Sequence, residues 1–229
     1  MTIRLARLRN RHRGQRCVLV ANGPSLQRMD LRPLRDAWTI GLNKIHLGLA
    51  AFGFHPRYFV AINARVLQQS AEDIRALDSV KLLGRHALAA GLQEDALTHI
   101  VNTDIIDTRF STDLTQGMHE GWTVTHAALQ VAYHLGFAEV VIIGLDHRYE
   151  MQGAPNEARR MQGPDPNHFS PDYFGHGQTW DNPDLARSEE SFRIARAAFE
   201  ADGRRIIDAT FGGACTVFER AHPREVLGP

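Results

Sequence analysis

The 229-residue chain predicts an α/β fold: a mainly parallel sheet flanked by helices. Three observations point there. Short runs rich in Val, Ile, Leu, Phe and Tyr alternate with segments of helical spacing, as in successive βαβ units. Two of these runs, "CVLVA" and "EVVIIGLD", have no polar face of period two, so they read as strands buried on both sides. Turn residues follow several runs at once, where a parallel strand hands over to a loop.

The elements follow in order. "CVLVA" is the first strand, and "LQRMDLRPLRD" is a loop or short helix. "WTIGLN" is the second strand, and the segment after it ends at the "GFHP" turn. "YFVAIN" is the third strand, "ARVLQQSAEDIRALDS" one helix, "VKLLG" a fourth strand and "HIVNTD" another. "WTVTHAALQVAYHLGF" carries apolar residues at helical spacing and closes on Gly136, a C-terminal stop. "EVVIIGLD" is then the central strand, "NPDLARSEESFRIARAAFEADG" the last long helix and "RRIIDAT" the last strand. Residues 150–184, rich in Gly, Pro, Asn, Asp and His, exceed an ordinary connection and come directly after the central strand. We read them as a lid. No internal repeat interrupts the pattern.

Composition bounds the function. With 43% hydrophobic and 23% charged residues the chain has the make-up of an ordinary globular protein. Cys17 and Cys215, far apart and without metal-type neighbours, suggest a reducing compartment. No apolar run is long enough to span a bilayer, so a cytoplasmic protein is expected. The net charge is zero but unevenly spread: Arg4, Arg7, Arg9, Arg11, Arg13 and Arg16 leave 20 basic against 26 acidic residues from residue 17 onward. Residues 1–16 thus form a basic N-terminal arm, and residues 17–229 a single domain. The arm is either a solvated lead-in or a contact to anionic lipid at the inner face of a membrane. Nothing calls for a nucleic-acid partner, and the oligomeric state is open.

The chemistry-bearing residues gather at strand ends. In Asn22-Gly23-Pro24-Ser25, Gly23 permits close backbone approach, Pro24 suits a first helical turn, and Asn22 and Ser25 can bond phosphate or ribose oxygens. The second and third strands end in Asn43 and Asn63, and the central strand ends in Gly144-Leu145-Asp146. Residues at the carboxyl edge of a parallel sheet suit a nucleoside, though Asn is also a common turn former. Thr123 and Thr125 open a helix, as caps and as neighbours of a phosphate. In the lid, "DYFGHGQTW" offers Tyr173 and a glycine-flanked His176, and an imidazole suits general base work near neutral pH. Asp146, His147, His168 and His176 lack the spacing of a helical metal motif, so no metal site is assigned.

"VLVANGPSL", "GLN", "TVT", "EVVIIGLD" and "YFGHG", in this order, resemble the bacterial lipooligosaccharide sialyltransferases, from Cys17 through "IIDATFGGACTVFER". The chain is also similar to a broader superfamily that holds the archaeal 6-hydroxymethylpterin diphosphokinases. The first resemblance implies a modified Rossmann fold with a lid. It implies metal-independent, inverting transfer of a sialic acid or related keto-sugar acid from a CMP donor to a glycan acceptor. By position, Asn22, Ser25 and Asn43 would contact the nucleotide, and Thr123 or Val124 takes the place of a hydroxyl residue. His176 would be the base, and Tyr173 would steady the departing phosphate. Tyr149 stands one position from a tyrosine of that family. The second resemblance implies an ATP- and Mg²⁺-dependent pyrophosphokinase, with Asp146 on the metal. A nucleotide-binding scaffold serving a partner protein is a third class.

Overall fold

The computed structural model describes residues 2–103, 108–151 and 153–227. Asp104 of the "HIVNTD" strand, Gln152 of the lid and the last two residues of the domain lie outside them. The helices are α1 (Thr2–Leu8), α2 (Leu49–Phe52), α3 (Ala64–Gln69), α4 (Ala71–Ala76), α5 (His86–Ala89), α6 (Val124–Leu135), α7 (Leu185–Ala201) and α8 (Pro223–Leu227). The strands are β1 (Arg16–Val20), β2 (Thr39–Leu42), β3 (Tyr58–Ala61), β4 (Val80–Gly84), β5 (Thr98–Val101), β6 (Glu139–Ile143), β7 (Ala158–Arg160), β8 (Thr179–Asp181), β9 (Arg205–Asp208) and β10 (Glu219–Arg220).

Eight strands form one sheet in the order β10-β9-β6-β1-β2-β3-β4-β5, and every pairing in it is parallel. The chain winds outward from β1 to β5, then returns to place β6 on the other side of β1. The order therefore reverses between β1 and β6, the position where open parallel sheets bind ligands at their carboxyl ends.

Strand periodicity sorts the core onto two faces. Leu19 and Ile142 point into one cluster with Ala128, Leu129 and Ala132 of α6 and Phe192 and Phe199 of α7. Val18, Val20, Val141 and Ile143 point into the other, with Val66, Leu67 and Ile74. This double burial is why "CVLVA" and "EVVIIGLD" carry no polar face. Thr123 accepts from the Thr125 amide to cap α6, and Gly136, at φ 91°, ends it. Asp184 caps α7 through the Arg187 amide.

Several elements depart from the sequence reading. Residues 64–79 make two helices, because buried Ser70 leaves helical geometry (φ −125°, ψ 22°) and the chain restarts on the acidic turn of Glu72 and Asp73. The basic arm is no solvated lead-in. Residues 2–8 are helical, and Leu5 and Leu8 sit in the main core. Arg4 reaches the Asp95 carbonyl and Arg9 pairs with Asp113. The lid contains the antiparallel pair β7–β8, and Phe169, Tyr173, Phe174 and Trp180 are buried in the second core cluster. Its apolar content makes it a packed wall, standing closed over the sheet edge. Among the described residues no helix is long and apolar enough to cross a membrane.

Candidate functional site

A cavity of about 420 Å³ opens at the reversal between β1 and β6. Its floor is the row of strand ends: Ala21, Asn22 and Gly23 after β1, Leu42 and Asn43 after β2, Ile62 and Asn63 after β3, and Gly144 through Tyr149 after β6. The start of α6 (Thr123, Val124, Thr125) forms one side. Asn167, His168, Tyr173, Phe174 and Trp180 bring the lid over it.

The loop after β1 is locked to the loop after β6. Ser25 donates its amide to Asp146 Oδ1 at 3.1 Å and its hydroxyl to Oδ2 at 2.7 Å, while the Gly23 amide donates to the Gly144 carbonyl at 2.8 Å. Position 23 must be glycine here, since a Cβ would fall 1.8 Å from Asp146 Oδ2. Ser25 is buried behind the cavity rather than on its wall. It shapes the site through Asp146.

Asn63 accepts from the Arg65 and Val66 amides and is the cap of α3, a structural duty at the cavity edge. Asn22 and Asn43 differ. Each carries a buried side-chain oxygen without a hydrogen-bond partner among the described residues, as does the Trp180 Nε1 donor on the lid. Orphaned buried polar atoms are uncommon, and several sharing one cavity ask for a polar ligand. The backbone agrees. Five described non-glycine residues have positive φ, and four of them (Asn43, Trp122, His147 and Asn156) line this cavity. Strain of this kind collects at functional sites.

The lid is built around Asp165. Its carboxylate accepts from the Asn167 amide at 2.8 Å, the Phe174 amide at 3.1 Å and His168 Nδ1 at 2.7 Å. The His168 ring stacks on Tyr173, with centroids 3.9 Å apart and planes 2° from parallel. The Phe169 amide donates to the Asn22 carbonyl at 2.9 Å, tying the lid to β1. Buried Lys44 fastens the lid to β2: its Nζ donates to the Tyr173 carbonyl and to Gln178 Oε1, each at 2.7 Å, and to Gln69 Oε1 at 2.9 Å. Desolvation pulls the Lys44 ammonium down to about 8.

The Tyr173 hydroxyl accepts from the Lys44 amide at 3.4 Å. Burial raises its pKa well above the ordinary phenol value, and burial together with the charges of Asp146 and Asp165 pushes Tyr149 up to about 12. Both phenols stay protonated near neutral pH and can donate to a ligand.

The sheet edge thus brings together Asn22, Gly23, Asn43, Asn63, Thr123, Thr125, Gly144, Asp146, Tyr149 and Tyr173. It does not bring His176. That side chain is exposed, its Nδ1 lies 2.9 Å from the Gln162 carbonyl, and it is absent from the cavity wall. It sits in the turn just before β8, where the Gly177 amide donates to the Met161 carbonyl at 2.9 Å. Of the two lid histidines, His168 is the one that lines the cavity. Sequence reasoning also missed Arg148, an exposed cation on the cavity wall with no ion pair among the described residues. "DPNHF" carried a signal for His168, an Asp three residues before a His in a loop.

A model of the family described as 6-hydroxymethylpterin diphosphokinase MptE-like matches residues 2–152. The chain belongs to the MptE-like family. The match spans β1 through β6 and ends early in the lid, so the MptE-like part supplies the floor of the cavity, while Asp165, His168 and Tyr173 lie beyond it. Among solved structures, the MAf glycosyltransferase from Magnetospirillum magneticum AMB-1 has a similar fold. The TM-score is 0.60 at 16% identity, over 97% of this chain and 38% of that one. This MptE-like chain therefore spans well under half the length of that protein. No curated protein matches it. Both names, diphosphokinase and glycosyltransferase, are those of transferases.

Proposed function

We propose that the protein transfers a sialic acid or related acidic keto-sugar from a CMP-activated donor to a hydroxyl of a glycan acceptor, with inversion at the anomeric carbon. The observation that carries this reading is the pair of unpartnered amide oxygens of Asn22 and Asn43, on neighbouring strand ends in a cavity of nucleotide-sugar size. They offer acceptors to an exocyclic amine or to ribose hydroxyls. The helix start at Thr123 and the cation of Arg148 suit the phosphate. Tyr149 and Tyr173, held protonated, would donate to the oxygen that leaves with it. The choice of cytidine and of an acidic sugar rests on the likeness of "VLVANGPSL" and its companion motifs to sialyltransferases. An acceptor on a lipid carrier would bring exposed Arg7, Arg11 and Arg13 to an anionic surface.

The family description favours a second reading, pyrophosphoryl transfer from ATP with Mg²⁺. Asp146 is the carboxylate at the switch point, and both its oxygens are committed to Ser25. Among the described residues no three His, Cys, Asp or Glu side chains converge as metal ligands. Each oxygen keeps a further lone pair, so Mg²⁺ at Asp146 would share the carboxylate with Ser25.

A turnover assay separates the two. CMP release from a panel of CMP-activated nonulosonic acids with glycan acceptors, insensitive to EDTA, is the expected result. Mg²⁺-dependent AMP formation from ATP and 6-hydroxymethylpterin, with no CMP release, would replace the first reading with the second.

A further inference from the structure

We propose that His168, oriented by Asp165, is the proton acceptor of this site, in place of the lid histidine that the motif suggests. The inference rests on the glycosyl-transfer reading and names the residue that activates the acceptor. Nδ1 of His168 is bound by Asp165 at 2.7 Å, which directs Nε2 away from the carboxylate. The carboxylate is itself fixed: its side chain is 2% exposed, and the Asn167 and Phe174 amides donate to it. The imidazole plane is held against Tyr173, and the edges of Tyr149, Phe174 and Trp180 surround it. A carboxylate on one ring nitrogen sets the tautomer and stabilises the imidazolium that forms when the other nitrogen takes a proton. His168 lines the cavity, and no partner occupies its Nε2 among the described residues.

A second histidine on the wall, His147, is the competitor. Its Nε2 lies 3.3 Å from Glu189 Oε1, a longer contact to a carboxylate that is 30% exposed and also bridged to Arg193 at 2.7 Å. Glu189 shares its charge with solvent and an arginine, whereas Asp165 gives its own to His168 and two amides. The geometry therefore favours His168.

The step balances. Nε2 of His168 takes the proton of the acceptor hydroxyl as that oxygen bonds to the anomeric carbon of the donor. The bond from that carbon to the CMP phosphate oxygen breaks, and its electron pair leaves with CMP. The proton then passes from the imidazolium to solvent. Asp165 acts through His168 as a positioning residue.

The test uses the full chain, CMP in calorimetry and the same CMP-activated nonulosonic acids in turnover. His168→Gln is expected to bind CMP within about threefold of wild type and to lose roughly 100-fold or more of turnover. Wild-type turnover is expected to fall on the acid side, as for any base that must be free of its proton in order to accept one. The residual H168Q rate should lack that limb. The charged and titratable groups around the ring are Asp165, Tyr149 and Tyr173, with Lys44 behind the stack and Asp146 and His147 across the cavity. Retained turnover in H168Q, or its loss in His147→Gln or His176→Ala but not in H168Q, overturns the proposal. Should H168Q lose CMP affinity, the wild-type profile decides, and a flat acid side counts against His168. A wild type that binds CMP but turns over no donor also overturns the assignment of a base. One that binds no CMP sinks the glycosyl-transfer reading itself.

Discussion

Ser25 and Asp146 join the two strands on either side of the topological switch point, with 3.1 Å from the Ser25 amide to one carboxylate oxygen and 2.7 Å from its hydroxyl to the other. The loops after β1 and β6 are therefore a single unit, and damage to one is felt at the other. Removing the hydroxyl in Ser25→Ala leaves a part-buried carboxylate short of a donor. We expect a loss of about 1.5–3 kcal/mol, the range for hydrogen bonds to charged groups. Urea unfolding at unchanged m-value measures it.

Gly23→Ala tests the same unit by crowding. The added methyl would meet Asp146 Oδ2 at 1.8 Å and the Gly144 carbonyl at 2.7 Å, so one loop must shift. The expected outcome is destabilisation of about 1–3 kcal/mol, as for other overpacked sites. CMP affinity should fall with it, read by calorimetry on protein that circular dichroism shows to be folded.

Lys44 predicts a pH dependence. Its folded pKa, about 8, lies below the ordinary value of 10.5 because burial disfavours the charge. Between those values the unfolded chain holds more protons at this site than the folded one, so the lysine's contribution to stability rises with pH across that window. Below pH 8 both states are charged and the contribution is flat. Comparing unfolding free energies at pH 7.5 and 9.5 for wild type and Lys44→Met should show a steeper rise in the wild type. Parallel curves would contradict it.

Trp180, on the lid side of the cavity, carries a buried N–H without a partner among the described residues. A ligand that fills the site should change its fluorescence. Trp180→Phe keeps an aromatic ring, though a smaller one, and drops the donor, and affinity for the donor sugar nucleotide should fall roughly tenfold, the equivalent of one hydrogen bond. An unchanged affinity would place the ligand away from the lid.

The sheet was legible because its strands are buried on both faces: "CVLVA" and "EVVIIGLD" have nowhere to put a polar side chain. The asparagines were legible because they follow the first three strands, β1, β2 and β3. Asn63, one of them, proved to be a helix cap, which residue type alone does not separate from a ligand contact. The split helix turned on Ser70, which is buried and leaves helical angles, and residue type alone does not announce that. The placing of the lid histidines was not legible for a related reason. His176 and His168 are eight residues apart, and which one meets the cavity depends on how Asp165 folds the lid back on itself, through the ring of His168 and the amide of Phe174. Likewise the N-terminal arginines read as a charged arm, while burial of Leu5 and Leu8 draws that segment into the core.

The central claim is that the asparagine-lined edge holds a cytidine nucleotide without help from a metal. Calorimetric titration with CMP in EDTA, beside ATP with and without Mg²⁺, tests it most directly. The account predicts CMP binding that Mg²⁺ does not alter and that Asn22→Ala with Asn43→Ala weakens. Binding of ATP only with Mg²⁺, and none of CMP, would contradict it.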